Sequence, residues 1–593
     1  MTEFDLGRIL PIDKGEWIDT YSTEAGSGYE KFDIVTSGSG SYLSLVANNT
    51  APLTARASWF PYVDGASIDA LVVALNTAKQ NAITAAGAAN TQALFAEEKG
   101  NLAHNKAGEA EAAKVAANTA AGAADAARQA IATEMAAKQN KIDQNLKTTD
   151  KSVVGAINEV LTIFSADKPQ GVAVRRWNTT LITPIGESYG DLDFLRELPR
   201  LLGLGCYLVQ KDHTRRKLNP NSHYQFLDGT EAKLDGSMGD YMWGWKTKFY
   251  YAYWTEGDYY YEGVSLHPIA GKLNYVIPIG STSAVGGSVV DRDTLELVSV
   301  VNNAPRYRGG NNDAAKDTAF NTQLGMPATI LPVATFGAYA RKKGLGWEGY
   351  WYGHAAIIGA LTRIILGTRH IQTAYNPNKD ANGLYQGGLG EGVSNAGAWW
   401  GSDFGNYPII PTGVGIELGD ACGVASHTVL GAGELALQTL SIPVFFGLKN
   451  FYGHLNRWER GKLISRNADT SGDVYVVPQI YSDYNVNSVA GLTKAATIPG
   501  TAGYIMQISN QNLCHAPTVV GGSSSTYYAD YLYGDTATSG LRVPAVGGSA
   551  NAGGYDGPEY LRANFAVSAS YAHYGSPLCE SEDNWDTMPI IVA

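Results

Sequence analysis

Between about Ser67 and Phe164 the chain gives up nearly all its aromatic residues and every proline. It becomes alanine-rich there, as in AITAAGAAN at 82–90 and AAKVAANTAAGAADAARQAIA at 112–132. No other feature limits the fold as much, because alanine is the best helix former yet contributes little buried area. Such a segment cannot enclose a core of its own. Ile68, Leu71, Leu75, Ala78 and Ala82 recur at steps of three and four, a heptad seam that Ile131, Met135 and Ile142 continue. Val153, Ile157, Val160 and Phe164 resume it in a shifted frame. Gly87, Gly100, Gly108 and Gly122 thin the seam, each costing ~1 kcal/mol in a helix interior. The pattern predicts a long Ala-rich α-helical coiled-coil stalk over 66–166, a rod of roughly 140 Å if it is continuous at 1.5 Å per residue. A monomeric helical hairpin folded at the glycines is the alternative.

The flanks read differently. Residues 1–65 hold short strand-like runs, Phe32–Val35 and Tyr42–Val46, around the turn-rich SGSGS at 37–41, and predict a small β module. Ten of the twelve tryptophans follow Asp167, among aromatic strand-like runs such as Lys248–Trp254 and Asp258–Tyr261 that alternate with Gly/Asn/Ser turns. Two segments there have helical spacing, Thr335–Lys343 and Glu348 to about Leu366. Residues 167–593 thus predict an irregular, loop-dominated β fold with two helices. At 593 residues the chain is too long for a single core, and its mixed fold class follows from these three parts.

A net charge of −12 argues against a nucleic-acid binder, which needs a basic stripe to neutralise phosphates. No stretch reaches the ~18 apolar residues of a membrane span, and the N-terminus lacks the basic flank and apolar run of a secretory signal. Cys206, Cys422, Cys514 and Cys579 lie far apart with no C-x-x-C, and read as reduced thiols.

Catalytic and metal motifs are weak. Asn378-x-Asp380-x-Asn382-Gly383 has calcium-loop spacing, but Leu389 stands where the bidentate Glu belongs, so an ordinary turn is the better account. Asp469-Thr-Ser-Gly-Asp473 reads the same way. No paired-histidine zinc motif or G-x-S-x-G elbow occurs. The acid pairs Glu580/Glu582 and Asp583/Asp586 read as solvated charge, although glycoside cleavage also uses paired carboxyls. No catalytic residue, cofactor or metal ligand is assigned.

The stretch from Leu541 to Cys579 differs in kind. Small residues alternate with Tyr, Asn, Asp, Arg, His and Phe, the composition of a paratope, where such side chains give contact area and adaptable hydrogen bonds at low entropic cost. Its frame, Arg542, Pro544, Gly547, Gly548, Ala550, Gly553, Gly557 and Gly575-Ser-Pro-Leu-Cys579, resembles the variable proteins of diversity-generating retroelements in Bacteroides phages. Gly447-Leu-Lys-Asn-Phe-Tyr-Gly453 before Trp458 is similar to another stretch of that family, with Lys449 replacing the usual Glu. Gly387–Val393, Leu324–Thr329 and Asp240–Met242 also look like its landmarks. The resemblance covers roughly 170–593 and implies an α+β C-type lectin-like head of the formylglycine-generating-enzyme type.

It implies, further, a non-enzymatic receptor-binding protein of a phage tail fibre. The segment Thr148–Glu159 resembles one found at the coiled-coil end of such fibres, and residues 1–65 resemble modules at their bases. The implied partners are two further copies in a homotrimer, other tail or baseplate proteins at the N-terminus, and a bacterial surface glycan or outer-membrane protein. Neither nucleic acid nor membrane insertion is expected. The receptor-contact positions carried over are Asn551, Tyr555, Asp556, Glu559, Arg562, Asn564, Phe565, Ser570, Tyr571, His573 and Tyr574. Two enzymatic alternatives stand beside this reading. One is a tail-borne polysaccharide depolymerase, and the other an oxidase using Cys514 and Cys579 to bind copper.

Overall fold

The computed structural model describes residues 12–16, 33–37, 40–46, 48–49, 51–55, 57–64, 169–372, 378–393, 395–479, 484–582 and 585–591. The chain divides into two compact units, Met1–Ala166 and Asp167–Ala593.

In the first unit, Ile12–Glu16, Asp33–Ser37, Gly40–Ser44 and Trp59–Asp64 form one four-stranded sheet in that order. Ile12–Glu16 joins in parallel and the remaining pairings are antiparallel.

The second unit is built from sheets. Seven strands run in the order Trp347–Gly349, Leu578–Ser581, Gly280–Ser283, Asp240–Trp245, Gly205–Val209, Arg215–Asn219 and Ser222–Phe226. A six-stranded sheet has the aromatic strands Phe249–Glu256 and Tyr259–Ser265 at its middle. Against these lies the helix Tyr352–Leu366, in which every residue except Ala355 is buried. A helix apolar all round belongs inside a domain. A hairpin of Gly423–Leu430 and Ala436–Phe445 continues into Leu448–Lys449. The largest sheet runs through Lys462–Arg466, Leu541–Val546, Leu561–Phe565, Tyr531–Tyr533 and Gly503–Ser509. It therefore carries two stretches of the predicted receptor segment, Leu541–Val546 and Leu561–Phe565.

The expected fold class is corrected here. The described residues are predominantly β, with four α-helices: α1 (Leu192–Leu202), α2 (Val333–Arg341), α3 (Tyr352–Leu366) and α4 (Trp399–Ser402). The longest has fifteen residues, so no long coiled coil stands among the described residues, and the segment 66–166 on which that expectation fell lies outside them. Nor is the second unit the α+β head that was expected, because its helices are few and short beside its sheets. The physical reason lies in the sequence after Asp167, where β-branched and aromatic runs are cut every few residues by Gly, Asn and Ser turns. Among the described residues no helix is long and apolar enough to cross a membrane.

Candidate functional site

The period-two geometry of a strand sends alternate side chains to opposite faces. In Tyr531–Tyr533 and Leu561–Phe565, Leu532, Leu561 and Ala563 point inward and are buried, which turns Tyr531, Tyr533, Arg562 and Asn564 to the other face. The two strands pair in parallel with Tyr533 opposite Arg562, and Tyr504 pairs with Tyr531 from the neighbouring strand. The result is a row of half-buried rings with a guanidinium in it.

Tyr555 closes onto this row. Its ring centroid lies 4.4 Å from Tyr531, 5.5 Å from Tyr504 and 6.1 Å from Tyr533. Arg562 then joins two aromatic groups, lying 5.1 Å from the Tyr533 ring and 4.8 Å from the Phe565 ring. Its Nε donates to Asn564 Oδ1 at 3.3 Å. Beyond it, Phe565 packs against Tyr571 at 4.9 Å, and Tyr571 reaches His573 at 6.0 Å. Tyr571 is the most open ring of the group, 41% exposed. Cation–π contact and partial burial hold the side chains in place while leaving ring faces accessible.

Of the predicted contact positions, the structure thus gathers Tyr555, Arg562, Asn564, Phe565, Tyr571 and His573. Asn551 is exposed on the preceding loop, where Ser549 Oγ donates to it at 3.3 Å, and Ser570 is half-buried. Three positions are corrected. Tyr574 is fully buried, its ring 4.5 Å from that of Trp458. Glu559 is buried, binding Arg363 Nη1 and His515 Nε2. Asp556 is fully buried. None of the three can meet a receptor, because alternation between small and large residues does not tell which large ones turn inward. Tyr504, Tyr531 and Tyr533 belong to the face and were missed. The alternation Tyr531-Leu-Tyr533 was the signal for them.

Arg363 on α3 anchors the ground beneath this face. Its Nε and Nη2 donate to Glu262 at 2.8 and 2.7 Å, while Nη1 binds Glu559. His515 Nδ1 meets Asn510 Oδ1 at 2.9 Å, and Tyr251 donates to Glu262 at 2.8 Å. Burial pushes the Glu559 carboxyl upward against the pull of Arg363.

Other candidate chemistry resolves into structural pairing. Cys206, His223 and Asp420 are the one group of metal-ligating type found among the described residues. Lys217 Nζ lies 2.8 Å from Asp420, and Lys449 Nζ donates to Tyr241 Oη at 2.6 Å and to the Gly447 carbonyl at 2.7 Å. Burial pushes the Cys206 thiol up to about 12. Two ammonium groups and a protonated thiol make this a poor cation site, and Lys217 is the counter-charge of Asp420 there. Glu580, read from sequence as solvated, is instead fully buried. It accepts from Arg215 Nη2 at 2.8 Å, Ser281 Oγ at 2.6 Å and pairs with His213 at 2.8 Å. Asp583 lies outside the described residues. Asp380 accepts from the Asn382 and Leu384 amides, and Asp469 from Ser471, as turn residues do. Cys514 and Cys579 are buried free thiols with separate partners, Ser509 and Thr282.

No family model matches the chain, and no curated protein matches it.

Proposed function

We propose that the chain is a non-enzymatic receptor-binding protein of a phage tail fibre, a virion component that attaches the particle to a bacterial surface glycan or outer-membrane protein. It acts as a homotrimer anchored to other tail or baseplate proteins through residues 1–65. The observation that carries this reading is the continuous face of Tyr504, Tyr531, Tyr533, Tyr555, Arg562, Phe565 and Tyr571. Tyrosine and arginine are the residues that dominate binding hot spots, and a row of half-buried rings suits the apolar faces of sugars or a complementary protein surface.

The deciding experiment replaces Tyr531, Tyr555 and Tyr571 together with Ala. Adsorption to the host should be lost, since each such truncation removes ~2 kcal/mol of binding and avidity multiplies the loss. The melting temperature should stay within a few degrees of the parent. Normal adsorption would reject the face as the receptor site. Release of oligosaccharides when the protein is incubated with host capsule would instead establish a depolymerase.

A further inference from the structure

Beneath the aromatic face lie two carboxylates that form no ion pair among the described residues, although Arg363 lies near Asp530 and Arg457 and Arg562 lie near Asp556. Asp530 and Asp556 are both fully buried. Asp530 accepts from the Glu559 amide at 2.8 Å and from Gln372 Nε2 at 3.4 Å, both neutral donors. Among the described residues neither oxygen of Asp556 has a hydrogen-bond partner of ordinary geometry; burial and the like charge of Asp530 push its carboxyl well up, against the Ser549 backbone and the more distant Arg457 and Arg562. The nearby Arg457 is committed elsewhere, to the carbonyls of Gly286, Asn450 and Phe451. Gln372, itself buried, donates to the Gly554 carbonyl at 3.0 Å, while its own Oε1 has no partner among the described residues.

Both carboxylates sit where side chains have been removed to admit them. A Cβ on Gly548 would run into Asp556, and one on Gly557 would run into Asp530. Gly548 also has φ +73°, so the backbone and the space both require glycine.

We propose that Asp530, Asp556 and the Gln372 carbonyl oxygen bind a calcium-class divalent cation under the receptor face. Buried like charges without an ion pair are among the costliest arrangements in a protein interior, and one doubly charged ion neutralises the two. The donors are all hard oxygens. Calcium takes irregular sets of six to eight such ligands, whereas magnesium holds to an octahedron and keeps several waters, which a fully buried pocket does not favour. The ion would also tie together the segments that present the face: Asp530 immediately precedes Tyr531, and Asp556 immediately follows Tyr555. The site rests on the burial of both carboxylates and on the unpartnered oxygens of Asp556 and Gln372, and does not need the receptor reading.

The test uses the full-length protein stripped with EGTA and then given calcium chloride or magnesium chloride alone. Bound metal is read by elemental analysis and the melting temperature by differential scanning fluorimetry. Calcium should be retained after gel filtration and raise the melting temperature by several degrees, with magnesium much less effective. Asp556→Asn should abolish both retention and response, while its metal-free melting temperature is no lower than that of the stripped parent, because a like charge has gone. If Asp556→Asn fails to fold, Asp530→Asn is read the same way. A parent protein that retains no calcium and melts identically with EGTA and with calcium overturns the proposal. So does a variant that keeps the parent's calcium.

Discussion

Tyr571 and Tyr574 are three residues apart and have opposite fates, which shows what a single position decides. Tyr571 is 41% exposed and Tyr574 is 0% exposed against Trp458. Tyr574→Ala should therefore cost ~3–5 kcal/mol of stability by emptying a core site, while Tyr571→Ala should cost under about 1 kcal/mol. Urea denaturation of the two variants measures the difference. His454 gives a second prediction at this scale. Its Nε2 accepts from the Ile409 amide at 3.2 Å, so Nδ1 carries the proton and faces the Asn450 side-chain amide at 2.9 Å. Asn450 Nδ2 stands at that distance, and exchanging the amide's nitrogen and oxygen gives Nδ1–H its acceptor. Burial drives this imidazole from 6.5 to about 3. With the folded value below the unfolded one, the unfolded chain takes up the proton first, so stability is present above pH 6.5 and is lost as pH falls toward 3. His354 and His573, each pushed down to about 4 by burial, add to the slope. The histidines pull the melting temperature down on acidification from pH ~7 to ~5, Glu559, raised to about 7 by burial, pushes the other way, and the His454 share is read as a smaller acid-induced drop in His454→Asn than in the parent. The composition of 541–579 told that a surface of this chemistry could exist. It could not tell Asp556 from Arg562, since partners such as Gln372 and Asp530 stand far away in sequence.

The helices and strands differ in how openly the sequence declares them. In α1, Leu195, Leu198 and Leu202 are buried at helical spacing, Asp191 caps the first turn and Gly203 ends it with φ 67°. The signals were legible, but Pro199 inside the run reads as a breaker and hides them. For α3 the expected start at Glu348 was too early, because Trp347–Gly349 pairs with Leu578–Ser581 and tertiary pairing overrides local helical spacing. What α3 does for the site was not legible at all. Arg363 links the strand Tyr259–Ser265 through Glu262 to the loop before Leu561 through Glu559. Arg363→Ala leaves two buried carboxylates unpaired and should cost ~3–5 kcal/mol, whereas Arg363→Lys should recover only part of it because an ammonium lacks the planar fork. Thermal unfolding of the pair of variants checks the order.

At the level of the whole molecule, the receptor reading makes a prediction about mass. Light scattering at micromolar concentration should return three times the 63.2 kDa of one chain, and a monomeric mass would reject the trimer. The seven-stranded sheet has another consequence, one of timing. Leu578–Ser581 lies inside that sheet, between Trp347–Gly349 and Gly280–Ser283, and pairs with strands more than two hundred residues earlier. A ribosome has therefore made both partner strands long before the strand that joins them emerges. Until then the edges of its two neighbours stand open, and such edges invite aggregation. Chains ending at Pro577 should accumulate in the insoluble fraction, while complete chains stay soluble. Synthesis interrupted before this strand then yields no soluble molecule with a half-built sheet, and the strand acts as a folding check on every copy made.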